Sequence, residues 1–77
     1  MIPYVQYVAK ATKQDGTEPD FKLGENYEIN CAFSLDGNTH ISVVNNEGSV
    51  RHFDITEDWF SKSFVVCGDL QSVWEEV

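Results

Sequence analysis

A chain of 77 residues has room for one domain and one core, because a smaller piece would bury too little apolar area to fold separately. Its apolar fraction of 42%, with five Phe, three Tyr and two Trp, is that of a folded protein rather than a disordered acidic chain. Thirteen acids against five bases give a net charge of −8, which repels phosphate backbones and anionic lipid, disfavours direct nucleic-acid or membrane binding, and attracts basic proteins.

The opening residues Met1-Ile2-Pro3-Tyr4-Val5 carry neither a basic segment nor an apolar signal core, and no apolar run approaches the ~18 residues of a spanning helix, so a cytoplasmic protein is expected. From Ile2 to Thr12 the row is rich in β-branched and aromatic residues, with Tyr4 and the alternates Val5, Tyr7 and Ala9 predicting a first strand. Pro3, which has no N–H to donate, puts its start at a sheet edge. Lys13 to Asp20 is turn chemistry throughout and predicts a loop. Phe21, Leu23 and Gly24 lead into the strongest strand pattern, in which Tyr27, Ile29, Cys31, Phe33 and Leu35 alternate with Glu28, Asn30, Ala32 and Ser34, one face buried and the other more polar. Asp36-Gly37-Asn38 tolerates the positive φ of a tight hairpin. Thr39 to Asn45 returns antiparallel with Ile41 and Val43 on one face and Val44 on the other. Asn45-Asn46-Glu47-Gly48 turns again, and Ser49 to Phe53 completes a meander.

Beyond it, Thr56 ahead of Glu57 and Asp58 reads as a cap on one helical turn, and Ser63 to Cys67 as a last short strand closed by Gly68. Asp69 then caps a predicted helix to Val77, with Leu70, Val73, Trp74 and Val77 in one stripe at i, i+3, i+4 and i+7. Eight residues do not hold a helix alone, so the stripe must dock. A single domain over 1–77 is expected, with a barrel over about 2–67 and the helix over about 69–77.

This order of elements resembles a small Src-homology-3-like β-barrel, in particular that of short uncharacterised phage and bacterial proteins. The resemblance is carried by Leu23-Gly24-Glu25-Asn26-Tyr27-Glu28-Ile29, then Asp36-Gly37-Asn38, Ile41-Ser42-Val43-Val44-Asn45-Asn46-Glu47-Gly48 and Trp59-Phe60, over roughly residues 21 to 66. It implies a mostly β fold, a five-stranded barrel with the C-terminal helix added, and a phage-encoded protein acting in its host's cytoplasm. Peptide-binding members carry an alanine-leucine-tyrosine-aspartate-tyrosine motif in the first strand. This chain has Tyr4-Val5-Gln6-Tyr7 there, so the barrel carries over and the proline-rich ligand does not.

Catalytic and metal chemistry find little support. Cys31 and Cys67 lack any Cys-x-x-Cys or Cys/His spacing and read as reduced thiols used as small hydrophobes, with Cys31 on the buried face beside Ile29 and Phe33. Cys67 has no paired base to make it a nucleophile. His40 and His52 lie on neighbouring predicted strands, neither with a His, Cys or acid at ligand spacing where a metal needs three or four converging ligands, and read as strand-surface histidines. Adjacent acids on a helical turn diverge, unlike the facing carboxylates of acid–base pairs. The chain is therefore expected not to be an enzyme and to hold no metal and no cofactor. Its acids Asp54, Glu57, Asp58, Glu75 and Glu76 are the expected surface for a basic protein partner, a nucleic-acid-binding protein being one candidate, with Trp59 as apolar anchor. The expected role is a small regulatory or inhibitory binding protein. The alternative is a structural or assembly accessory that binds through its sheet edge. Trp59 and Trp74 are each also candidates for the core, since so small a domain needs every large apolar group. Clustering of Lys10, Lys13, Lys22 and Arg51 would be required for nucleic-acid binding.

Overall fold

The computed structural model describes residues 2–9 and 21–76. The loop expected over Lys13 to Asp20 lies outside the described residues, as do Lys10 and Val77. In chain order the elements are β1 (Tyr4–Tyr7), β2 (Asn26–Leu35), β3 (Asn38–Val44), β4 (Val50–Asp54), a short helix α1 (Asp58–Ser63), β5 (Phe64–Cys67) and a 3-10 turn (Leu70–Val73). The five strands make one antiparallel sheet in the order β4-β3-β2-β1-β5. The mostly β expectation and the meander therefore hold. The sheet is open, because β4 and β5 stand at its two edges and do not pair with each other among the described residues.

The first hairpin follows from its turn. Asp36 at φ 52° and Gly37 at φ 83° both occupy the left-handed region, the backbone that joins twisted antiparallel strands through two residues. At the second turn the amide of Asn45 does the work. Its Oδ1 accepts from the backbone N–H groups of Glu47 at 2.9 Å and Ser49 at 2.8 Å, so this 5% exposed polar side chain is satisfied inside the bend.

The period-two reading of β2 fails in its second half. Ile29 lies opposite Val43 but Cys31 lies opposite Ser42, so two steps on β2 meet one on β3 and a bulge sits at Asn30. Tyr27 and Ile29 are buried as expected, but beyond the bulge the alternation inverts: Ala32 is fully buried, Cys31 and Phe33 are half-buried, and Leu35 is exposed. Cys31 and Phe33 thus occupy the face away from the core. A one-residue insertion in a period of two transfers every later side chain to the other side.

Two helix expectations are also corrected. The Asp69-to-Val77 helix is a 3-10 turn of four residues, after which Trp74 is extended and bridges Ala32 in parallel, with the Glu75 N–H donating to the Ala32 carbonyl at 2.7 Å. The cause is an unfilled edge: β1 covers β2 only from Asn26 to Glu28, leaving the far half of β2 with unpaired backbone on that side. Satisfying those groups outweighs extending a helix too short to stand alone. Asp69 does cap the turn, accepting from the Gln71 N–H at 2.9 Å, and Leu70, Val73 and Trp74 pack half-buried on the core. Thr56 is not the cap of α1. Glu57 occupies that position without a side-chain bond, and Thr56 instead donates to Asp54.

The core is an aromatic stack against a β-branched floor. Phe21, Tyr27, Phe60 and Phe64 close over Val5, Ile29, Ile41 and Val43, all less than a tenth exposed. The Tyr27 hydroxyl accepts from the Lys22 N–H and donates to Asn46 Oδ1, both at 2.7 Å, which satisfies its polar end at the rim of the core. At the other end Gly68, at φ 91°, leaves β5 against the start of β1. A β-carbon there would stand 2.9 Å from Pro3 Cα, closer than packing allows.

Candidate functional site

Two surfaces carry the polar chemistry. The first runs from the end of β4 into α1 and contains four of the six residues expected from sequence. Glu57 and Asp58 are exposed, and Asp58 forms an i,i+4 ion pair with Lys62 at 3.1 Å between side chains 87% and 75% exposed, worth only about 0.3–0.5 kcal/mol. Trp59 is 46% exposed, and its ring stands edge-on to Phe53 at 5.5 Å. One side of the indole is thus anchored by the core while the other faces water. Trp74, the other candidate, is half-buried on the core side. Glu75 and Glu76 are exposed on the extended segment beside Ala32, a different element from the Asp54–Trp59 stretch.

Asp54 is more constrained than a partner-facing acid. Its Oδ1 accepts from the Thr56 hydroxyl at 2.6 Å and the Thr56 N–H at 2.9 Å, and its Oδ2 accepts from the Asn38 amide at 3.1 Å. The Thr56 bonds above all, then Asn38 and the nearby His40, hold this carboxyl below the ordinary aspartate range. Asp54 is thereby the fastener of the β4–α1 turn.

The second surface is the outer face of β2, β3 and β4, and the sequence reading did not assemble it. Pairing places His40 opposite Asp54 and His52 opposite Ser42, so the two imidazoles are diagonal neighbours on one face, and His40 Nδ1 lies 2.9 Å from His52 Nε2. On the other side of β3, Phe33 faces His40 and stacks on it at 5.6 Å and 15°, with His52 at 5.3 Å. His40 Nε2 is 3.8 Å from Asp54 Oδ2, with side chains 13% and 19% exposed. The cluster was partly legible, since the four-residue turn fixes the β3–β4 register once its length is known. Phe33 was not, because the bulge at Asn30 is what turns it outward.

Elsewhere, Tyr4 and Cys67 face each other across β1 and β5, and the thiol beside the phenol, through a hydrogen bond and its charge, raises the tyrosine above its ordinary range. Of the basic residues needed for a nucleic-acid patch, Lys10 and Lys13 lie outside the described residues. Among the described residues no group of three or more His, Cys, Asp or Glu side chains converges on a metal-sized site. No helix among them is long and apolar enough to cross a membrane. No family model, no curated protein and no solved structure matches the chain.

Proposed function

We propose that the protein is a small acidic regulatory or inhibitory module that binds a basic protein through the stretch from Glu57 to Trp59. The observation that carries this reading is Trp59, a large ring oriented by Phe53, 46% exposed and adjoining two exposed carboxylates in a chain of net charge −8. An oriented aromatic beside charge supplies both parts of a protein contact: apolar area that lengthens residence and a field that speeds encounter. Glu75 and Glu76 add to the field from their own element, and Asp54 supports the site by holding the turn. A phage origin and a Src-homology-3-like barrel belong to the same proposal. The strand order, with β1 between β2 and β5 and the meander beyond, supports the barrel.

The test is capture from a bacterial lysate on immobilised protein, identification of the retained protein, and kinetics with that protein purified. Association should slow as salt screens the charges, and by about tenfold when Glu57→Lys and Asp58→Lys are combined. Trp59→Ala should accelerate dissociation about tenfold or more. A partner indifferent to salt and to all three substitutions would defeat the reading. The second reading, a structural or assembly accessory, draws on the two open sheet edges, where Val50 on β4 and Val65 on β5 are 55% and 47% exposed. Sedimentation at rising concentration tests it, with self-association the outcome in its favour.

A further inference from the structure

We propose that His40 and His52 form a two-imidazole binding site for a late first-row divalent transition-metal ion of the Cu²⁺ and Ni²⁺ type, on the outer face of the β3–β4 hairpin. The geometry carries it. Metal–imidazole bonds are about 2.0–2.1 Å, so two cis nitrogens at right angles in a tetragonal shell stand about 2.9 Å apart and two in a tetrahedral shell about 3.3 Å apart. His40 Nδ1 and His52 Nε2 stand 2.9 Å apart in a hydrogen bond, so a rotation of each ring turns both nitrogens toward one ion at about the spacing of a cis pair. Imidazole nitrogen suits Cu²⁺ and Ni²⁺, with Cu²⁺ bound most tightly by the general affinity order of divalent metals. Water fills the remaining positions from the open side, where His52 is exposed.

Asp54 Oδ2 lies 3.8 Å from His40 Nε2, beyond hydrogen-bond reach, so that a carboxylate stands behind the nitrogen that would face the ion. Asp54 is itself held by Thr56 and Asn38. One of the two facing nitrogens carries the proton of this hydrogen bond between the rings and the other accepts it. On metal binding that proton moves through solvent to the far nitrogen of its own ring, which leaves both facing nitrogens to ligate the ion. Phe33, stacked on His40, restrains the ring. With two protein ligands and no third among the described residues, affinity should fall in the range of a chelating pair, well short of a closed structural site.

Ni²⁺ is the probe, because unlike Cu²⁺ it does not oxidise the two thiols. Titrated into the full chain, it should bind at one site, raise the melting midpoint by mass action, and broaden the NMR signals of His40, His52 and Phe33 first. His40→Gln and His52→Gln should each weaken binding at least tenfold. Asp54→Asn, which removes a negative charge beside the pair and leaves both ring nitrogens as ligands, should weaken it by a smaller factor than either histidine substitution. Broadening centred on Glu57 and Asp58 or on Cys31 overturns the proposal, as does a His52→Gln chain that binds like wild type or a wild-type chain that binds nothing at millimolar Ni²⁺. Should a variant fail to fold, the broadening map of the wild-type chain decides alone.

Discussion

Opposite faces of the sheet carry two ring clusters with nearly the same internal spacing. Inside, Phe21 meets Phe64 at 5.1 Å and Tyr27 at 4.9 Å, while Phe60 lies 5.1 Å from Phe64. Outside, His40 and His52 are 5.0 Å apart and Phe33 is 5.3 Å from His52. The inner rings are nearly dry, so their contacts add to the apolar area removed from water and hold the fold. The outer rings keep their edges wet, so equal spacing contributes less to stability and leaves nitrogen lone pairs available for chemistry. Proximity is shared by the two clusters. Access to water divides them, and for Phe33 that division is made by the bulge at Asn30, which breaks the period it shares with Ile29.

Inserting one residue between Ser42 and Val43, opposite Asn30, would remove the distinction outright. The ladder would run without a bulge, Cys31 and Phe33 would turn inward, and Ala32 and Ile41 would turn out, costing the chain its cooperative thermal transition. An insertion variant that melts like wild type would mean the bulge is incidental. Truncating one ring from each cluster comes next in size. Phe64→Ala should cost about 3–5 kcal/mol, comparable to the roughly 3–5 kcal/mol a core of this size supplies, whereas Phe33→Ala should cost about 1 kcal/mol, as do most half-buried positions. Urea denaturation of both variants measures the ratio, and equal losses would show that the outer face is as much core as the inner. The smallest effect is at the edge of the outer cluster. Because the folded Asp54 carboxyl lies below its unfolded value, its stabilisation is complete above the ordinary aspartate range and disappears as pH falls through the folded value. NMR titration should place Asp54 below the ordinary aspartate range, and Asp54→Asn should flatten the acid limb of stability. An Asp54 that titrates in the ordinary range would leave the turn without its fastener.

The strands and turns that were legible are those whose determinants are local. Asp36-Gly37 requires a backbone few other pairs adopt, and Ile41 and Val43 alternate on a strand without interruption. What stayed hidden depends on pairing across the sheet. Phe33 and Leu35 continue the period of Tyr27 and Ile29 in the sequence, and only the partner strand reveals that one residue has been skipped. Leu70, Val73 and Trp74 keep helical spacing, but the bare edge of β2 beside Ala32 claims Trp74 for a bridge. Glu57, Asp58, Glu75 and Glu76 are exposed, and Asp54 differs from them. Asp54 is spoken for by Thr56 and Asn38, and nothing in its neighbours distinguishes a carboxylate that fastens a turn from one that waits for a partner.

Gly68 separates two ideas that are usually treated as one, burial and intolerance to change. The residue is exposed, so by solvent contact alone it would count among the freely variable positions. A single added methyl would nonetheless press on Pro3, whose carbonyl accepts from the Ile29 N–H at 3.0 Å, one residue before the bulge that sorts the two faces. Substitution at this surface position is therefore transmitted to the centre of the sheet. Among diverging copies of the chain, position 68 should be as restricted as the core, for reasons of space and backbone rather than of water.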